Sequence, residues 1–184
     1  MDTSYKFKKF TYLLLEWNSI HNLTGAKSVD DIEANIEDSL YPFRYIDLPE
    51  RVLDIGTGAG FPALILAMEY PDIEFTLCEP RNKRASFLKF ASLDIGLDNV
   101  KVVKSRVENF SSEPFELITS RAVSNTRRLL DMTEHLRDGN TSYLLYKGGD
   151  VEEELKRVDI AIDFDIFNHG KRRYLYIKGV DNDT

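Results

Sequence analysis

The stretch Arg51-Val-Leu-Asp-Ile-Gly-Thr-Gly-Ala-Gly-Phe-Pro62 joins a short apolar run to three glycines at alternate positions. Residues 52–55 favour β-structure and are mostly apolar, which predicts a strand buried on both faces. The three glycines then allow the backbone to turn sharply and to approach a ligand without a Cβ in the way. Pro62 suits the first turn of a helix, which the apolar residues after it would continue. The stretch therefore predicts a strand, a turn and a helix that place backbone N–H groups at the carboxyl edge of a parallel sheet.

The spacing of Gly56, Gly58 and Gly60 separates this turn from the dinucleotide-binding fingerprint. That fingerprint would need a glycine at position 61, which is Phe61 in this chain. The pattern Asp54-x-Gly56-x-Gly58-x-Gly60 is instead similar to the first motif of S-adenosylmethionine-dependent methyltransferases, which have a Rossmann-like sheet. The alternative is a tight turn between strand and helix that binds no ligand.

The alternation of apolar runs and amphipathic stretches from Arg51 onward is typical of an α/β domain with a mostly parallel sheet. It predicts parallel strands at 51–55, 74–79, 100–104, 116–120 and 142–147. The predicted helices are at 4–20, 30–40, 60–69, 82–94, 125–137 and 151–160. Two last strands, at 161–167 and 173–178, are separated only by a short turn and should form an antiparallel hairpin at one edge. We therefore predict a Rossmann-like, mostly parallel seven-stranded sheet.

A chain of 184 residues is long enough for one well-buried domain and short for two. We expect a single domain, in which residues 1–48 form an N-terminal helical cap and residues 49–184 form the Rossmann-like core. The acidic residues between positions 30 and 38 are interpreted as a solvated helix face.

The cysteine and histidine content argues against disulfides and metals. The single cysteine, Cys78, excludes an internal disulfide, and its place inside a predicted strand indicates a buried thiol. The three histidines lack the spacing of a metal site, so we expect no metal. Without a signal peptide or a membrane-spanning apolar run, we expect a cytoplasmic protein that does not bind a membrane. The formal net charge of −7 argues against a nucleic-acid partner unless the cations are gathered in one place.

Charged residues follow consecutive predicted strands at the point where each strand ends. Glu79 ends the second strand, Arg106 and Glu108 follow the third, Arg121 follows the fourth, and Lys147 ends the fifth. Because ligands bind beyond the carboxyl ends of parallel strands, these charges, chiefly cations, should converge on one rim of the sheet. The alternative is that each of them is an ordinary solvated strand end.

Glu79 lies where a ribose-binding acid is expected after a glycine turn, since a carboxylate accepts hydrogen bonds from a cis-diol. The ribose of S-adenosylmethionine would fit, and so would that of a nicotinamide cofactor. Lys83 and Arg84 open the next predicted helix, where the helix dipole does not stabilise cations. An anionic partner would explain their position, although lysines are common on any protein surface.

Several short stretches, spread over most of the chain, carry a family resemblance. They are Trp17-Asn18, Asn22-Leu23-Thr24, Asp38-Ser39, residues 54–62, Lys83-Arg84-x-x-Phe87-Leu88, Ser105-Arg106-Val107-Glu108, Ser120-Arg121-Ala122 and Lys147-Gly148. In these stretches the chain resembles the bacterial 16S ribosomal RNA guanine-N7 methyltransferases (RsmG), also called glucose-inhibited division protein B (GidB). Two positions depart from the family's pattern: Asn35 stands where histidine is usual, and Ala63 where glycine is usual.

The resemblance implies S-adenosylmethionine as the cofactor and 16S ribosomal RNA or the small ribosomal subunit as the partner. We expect a monomer. It implies that Gly56 and Phe61 line the cofactor pocket, that Val107 and Glu108 hold the adenine side, and that Arg121 reaches the cofactor or the RNA. From the residues themselves, we assign Gly58, Gly60 and Glu79 to the cofactor as well. We assign RNA phosphate contacts to the cations of the rim and of the helix after Glu79, which are Lys83, Arg84, Arg106, Arg121 and Lys147.

Methylation of guanine N7 would agree with the lack of a catalytic constellation in the sequence. N7 carries a lone pair and no proton, so we expect no general base, and the enzyme would have to align N7 with the sulfonium methyl. The narrow major groove of A-form RNA predicts that the target guanine lies in a loop or an opened region. Two other functions stay open: methylation of a protein or a small molecule, and binding of S-adenosylmethionine by a non-catalytic RNA regulator.

Overall fold

The computed structural model describes residues 2–121, 123–149 and 151–180, so Ala122 of the Ser-Arg-Ala stretch lies outside the described residues. The strands are β1 (Arg51–Ile55), β2 (Glu74–Cys78), β3 (Val100–Val103), β4 (Leu117–Arg121), β5 (Ser142–Lys147), β6 (Ile162–His169) and β7 (Arg172–Val180). The α-helices are α1 (Thr3–His21), α2 (Val29–Leu40), α3 (Ala63–Glu69), α4 (Asn82–Ile95), α5 (Thr126–Met132) and α6 (Val151–Leu155). Three short 3₁₀ turns cover Tyr41–Arg44, Val107–Asn109 and Glu134–Leu136.

The sheet has seven strands in the order β3-β2-β1-β4-β5-β7-β6. Strands β1 to β5 run parallel, β7 is antiparallel to β5, and β6 is antiparallel to β7. The prediction of a mostly parallel sheet that ends in an antiparallel hairpin is therefore confirmed. The direction in which the strands are added reverses between β1 and β4, and in such sheets the crevice outside this switch point is where ligands bind.

The strand and helix on either side of the glycine turn form the centre of the core. Val52, Leu53 and Ile55 are at most 3% exposed, and residues 63–68 of α3 are all buried as well. The helix begins at Ala63 rather than at residue 60, because the glycine turn extends through Gly60, whose φ of 105° is outside the helical range.

The N-terminal helices share this core. Phe10 of α1 and Ile32 of α2 are fully buried in the same cluster as α3 and α4. The ring of Phe10 meets Phe61 of the glycine turn edge-on, with centroids 5.4 Å apart. Helix α2 starts at a capping box, in which the Ser28 side chain accepts from the Asp31 N–H and the Asp31 carboxylate accepts from the Ser28 N–H. The amino-terminal segment is thus fixed against the turn that precedes α3.

The interpretation of residues 30–38 as one solvated acidic face is wrong for Asp38. Its side chain is only 13% exposed, because α2 packs so that this carboxylate points toward the start of β7. Asp38 Oδ1 accepts hydrogen bonds from Tyr174 Oη at 2.8 Å and from Arg172 Nε at 2.9 Å. The period of a helix shows which residues share a face, but it does not show which strand covers that face.

The last third of the chain also differs from the predicted bounds. Helix α5 ends at Met132 and is followed by a 3₁₀ turn, and α6 ends at Leu155, whereas longer helices were predicted for both. Strands β6 and β7 are longer than predicted and are joined through Gly170 and Lys171. Within the described part of the chain, no helix is both long and apolar enough to cross a membrane.

Candidate active site

A cavity of about 770 Å³ opens beyond the carboxyl ends of β1, β2 and β4. Its volume is in the range of cavities that bind cofactors and other small ligands. Nine of the residues predicted to bind a cofactor or RNA line it together: Gly56, Gly58, Phe61, Glu79, Arg84, Arg106, Val107, Glu108 and Arg121. A cavity therefore lies at the edge of the sheet where the sequence predicts ligand binding.

The space around the Cα atom differs among the three glycines of the turn. A Cβ on Gly56 would lie 2.4 Å from Val123 Cγ2, and one on Gly60 would lie 2.8 Å from Leu64 Cδ1, so both positions are closed by packing. A Cβ on Gly58 would meet only Gly56 O at 3.7 Å and an Arg84 nitrogen at 3.9 Å. Gly58 thus faces the open cavity, whereas Gly60 does not line it and serves the contact with α3.

Glu79 connects the glycine turn to the chain that leads into α4. The residue is 2% exposed, and Oε2 accepts a hydrogen bond from the Gly58 N–H at 3.0 Å. Its other oxygen, Oε1, accepts from the Arg81 N–H at 2.8 Å. Each carboxylate oxygen has a second lone pair, so Glu79 can hold the turn and still accept hydrogen bonds from a ligand in the cavity.

Asp54 lies beneath the turn at the end of β1. It is 1% exposed, its Oδ1 accepts from Thr119 Oγ1 at 2.7 Å, and its Oδ2 has no hydrogen-bond partner among the described residues. Burial is the main reason why the pKa of this carboxyl is raised from 3.8 to about 7, while the hydrogen bond from Thr119 acts in the opposite direction. Near neutral pH, a buried acid therefore changes charge directly under the cavity floor.

Arg121 lines the cavity, and three neighbouring side chains hold its guanidinium. Its guanidinium donates to Asn35 Oδ1 at 2.7 Å and approaches Asp38 Oδ2 at 3.5 Å, and it lies 4.9 Å above the ring of Phe61. Burial lowers the pKa of Arg121, and the charge of Asp38 opposes this effect. Asn35, one of the two positions that depart from the family's pattern, is therefore a direct contact of a predicted site residue.

The cations predicted to bind RNA do not all lie in one place. Arg84 and Arg106 line the cavity, whereas Lys83 is exposed on α4 outside it. Lys147 does not line the cavity either, because its Nζ contacts Glu154 at 2.7 Å and Ser124 O at 3.3 Å and its side chain is 11% exposed. The ion pair of Lys147 comes from α6, which the strand-end argument did not consider.

Two arginines of the cavity were missed by sequence analysis. Arg81 lies two residues after Glu79, and Arg128 lies on the first turns of α5, which follows β4. Arg81 follows the end of β2 closely enough for the strand-end rule to have found it. Thr24 and Gly25 also line the cavity, although the stretch that contains Thr24 had been quoted only as part of the resemblance.

The cavity has the features that S-adenosylmethionine requires. It is large enough for a nucleoside with a side chain, it carries a buried carboxylate with free lone pairs, and it is open on the side that Gly58 presents. The residues present therefore fit this cofactor. Among the described residues, no group of three or more metal-ligating side chains is seen.

The comparisons with known proteins identify a methyltransferase family. The model of the GidB family, described as rRNA small subunit methyltransferase G, matches residues 3–175. The chain belongs to this family. Ribosomal RNA small subunit methyltransferase G of Aliarcobacter butzleri is 48% identical over 171 residues, which covers 93% of this chain and 88% of that protein. The protein of the same description from Wolinella succinogenes is 43% identical over 175 residues, covering 95% and 89%.

Solved structures with a similar fold include methyltransferases of other descriptions. A SAM-dependent O-methyltransferase from Thermotoga maritima matches with a TM-score of 0.60 at 14% identity, covering 80% of this chain and 67% of that one. At this identity the likeness concerns the fold alone. The family members and this structure together confirm the predicted Rossmann-like methyltransferase fold.

Proposed function

We propose that this protein transfers the methyl group of S-adenosylmethionine to N7 of a guanine in 16S ribosomal RNA. The observation that carries the proposal is that, in a chain of the GidB family, the buried acid Glu79 and several arginines line one cavity. The partner is the RNA or the small ribosomal subunit, and the protein acts on it as a monomer in the cytoplasm. The alternatives, a protein or small-molecule methyltransferase and a non-catalytic regulator, are tested below.

The residues that hold the cofactor are those of the cavity wall. Glu79 would accept from the ribose hydroxyls through the lone pairs that Gly58 and Arg81 leave free. Val107 and Glu108, in the 3₁₀ turn after β3, would hold the adenine side. When bound, S-adenosylmethionine supplies a methyl group on a positively charged sulfur, which a lone pair can attack directly.

The chain's own contribution to the reaction is orientation. Guanine N7 has no proton to remove, so the acceptor needs alignment rather than a general base. Arg121, fixed by Asn35 and by the ring of Phe61, lines the cavity and would help to orient an acceptor against the cofactor. Gly58 and the backbone of the turn leave the space that such an approach requires.

The arginines of the cavity are suited to RNA phosphates rather than to the chemistry. We keep Arg84 and Arg106 in this role, and we add Arg81 and Arg128 because they line the same cavity. Lys147 would have to leave Glu154 before it could reach a phosphate. We therefore expect its contribution to RNA binding to be smaller than that of Arg106.

The proposal is tested by offering labelled S-adenosylmethionine three classes of acceptor: small-subunit RNA, a protein extract and a small-molecule extract. Label should enter RNA only. Arg106→Ala and Arg128→Ala should each weaken RNA binding and reduce its salt slope by roughly 0.7–0.9 per phosphate contact. Lys101→Ala, which removes an exposed cation from β3 outside this cavity, is the matched control.

The alternatives predict other outcomes of the same assay. Label in protein or in small molecules would replace the RNA proposal with one of the other methyltransferase functions. Tight binding of both ligands without transfer to any acceptor would favour the non-catalytic regulator.

A further inference from the structure

The β6–β7 turn segment, which comprises residues 169–173, lies at the same edge of the sheet as the cavity. Strand β7 is antiparallel to β5, and Lys147 at the carboxyl end of β5 pairs with Arg173 near the start of β7. The residues of the turn, which sequence analysis treated only as a connection, therefore stand beside the carboxyl ends of the parallel strands. This edge is where the proposed RNA substrate must approach.

Aromatic rings are stacked at this turn. Tyr174 stacks on Tyr41 with centroids 5.5 Å apart, and Tyr41 stacks on His169 with centroids 4.0 Å apart and planes 8° from parallel. His169 is exposed and ends the stack, and no other ring of the described residues lies on its second face. A flat partner could therefore extend the stack by one layer.

The same turn lines a second cavity, of about 690 Å³, next to the first. His169, Lys171 and Arg172 form one side of it, and residues of α2 form the other. Gly25 lines both cavities. The guanidinium of Arg121 lies between them, since Arg121 lines the first cavity and donates to Asn35, which lines the second. A ligand in the second cavity is thus a neighbour of the proposed cofactor site.

The cations of the turn differ in how far they are already paired. Arg172 contacts Asp38 through Nε at 2.9 Å, and Arg173 contacts Glu152. Lys171 is exposed and has no ion pair within the described ranges. Among the described residues, the turn segment therefore carries one ammonium without an ion pair, two positions along the chain from an exposed ring that has a ring partner on one face only.

We propose that His169 and Lys171 form a binding site for an unpaired RNA nucleotide, with the base stacked on His169 and a phosphate at Lys171. The proposal rests on the proposed function, which supplies the RNA. Proteins hold unpaired bases by stacking on rings and by cations along the backbone, and this combination is what the turn presents. The exposed ring and the unpaired cation favour RNA over a protein segment, because an extended peptide needs neither a free ring face nor a phosphate contact. The α2 wall of the second cavity carries Asp31, Glu37 and Asp38, so the phosphate is assigned to Lys171 on the opposite side.

The test uses the full chain and protein-free 16S RNA, with binding curves at several salt concentrations. His169→Ala should lower RNA affinity by at least about fivefold, in the range measured for loss of one base–ring stack. His169→Phe should restore most of the affinity, because it keeps a ring without the imidazole nitrogens. Lys171→Ala should reduce the salt slope by about 0.7, the value for one phosphate of a single strand. Lys101→Ala should change neither quantity, and all variants should bind S-adenosylmethionine as the unchanged protein does.

The outcomes separate this site from the function on which it rests. If the unchanged protein methylates and binds RNA while His169→Ala and Lys171→Ala do so equally well, the nucleotide site is refuted and the function stands. If His169→Phe binds as weakly as His169→Ala, stacking is refuted. If the unchanged protein neither binds nor methylates RNA, the proposed function itself is wrong. Thermal unfolding of each variant identifies any loss that comes from misfolding.

Discussion

Asp38 links α2 to the start of β7 and to Arg121, which lines the cavity. Its replacement by alanine tests how much these contacts stabilise the fold. The carboxylate accepts from Tyr174 Oη at 2.8 Å and from Arg172 Nε at 2.9 Å, and it lies 3.5 Å from Arg121 Nη1. Burial and the hydrogen bond to Asp38 both raise the pKa of Tyr174, so the phenol stays a donor. Asp38→Ala removes the acceptor common to all three groups.

The expected loss of stability follows from these contacts. A hydrogen bond that involves a charged group contributes about 1.5–3 kcal/mol. Two such bonds are short here, but the side chain of Arg172 is 33% exposed, so that solvent screens part of its interaction. We therefore expect the free energy of unfolding to fall by roughly 2–4 kcal/mol, with a drop in Tm of about 4–16 °C for a chain of this size.

Urea unfolding followed by circular dichroism measures this difference. The control is Glu33→Ala, which removes an exposed carboxylate of the same helix that has no partner in the described segments. The control should change the free energy of unfolding by less than about 0.5 kcal/mol. An Asp38→Ala protein as stable as Glu33→Ala would refute the view that this carboxylate joins α2 to the sheet.

Three further predictions concern groups near the cavity. Asp54 is protonated in the native state up to about pH 7 but ionises near 3.8 when unfolded, so native stability falls as pH rises between these values. Asp54→Asn should lack this loss, so the difference in unfolding free energy between the two proteins should change by about 3 kcal/mol between pH 4.5 and pH 7.5, as measured by urea unfolding. Burial raises the pKa of the Cys78 thiol to about 12, so iodoacetamide at pH 8 should label it only after unfolding. Gly60→Ala should lower the free energy of unfolding by roughly 1–3 kcal/mol, measured by thermal unfolding, because its Cβ would lie 2.8 Å from Leu64 Cδ1. Gly58→Ala should destabilise the protein less than Gly60→Ala and should weaken cofactor binding more.

The fold and the centre of the site could be predicted because their signals are local. The apolar run, the glycine spacing and the proline of residues 51–62 fix a strand, a turn and a helix within one short stretch. The rule that ligands meet strand ends then placed Glu79, Arg106 and Arg121 at one edge without knowledge of their contacts. The structure brings these three residues to one cavity.

The features that were missed depend on contacts between distant parts of the chain. Asp38 was assigned to a solvated face because its partners, Arg172 and Tyr174, lie more than 130 residues away. Lys147 follows the strand-end rule, yet its ion pair with Glu154 depends on the position of α6, which is shorter than its pattern indicates. His169 stacks on Tyr41, which begins the 3₁₀ turn after α2. The hydrophobic periodicity of the two segments does not predict this contact.

The proposed methylation of guanine N7 can be tested through the identity of the product nucleoside. Small-subunit RNA from cells that lack this activity would be incubated with the protein and S-adenosylmethionine, digested to nucleosides and analysed by mass spectrometry. We expect 7-methylguanosine, in an amount that approaches one per RNA molecule and that falls sharply with Gly58→Val, which would fill the open side of the turn. A different methylated nucleoside, or 7-methylguanosine that forms equally well with Gly58→Val, would contradict it.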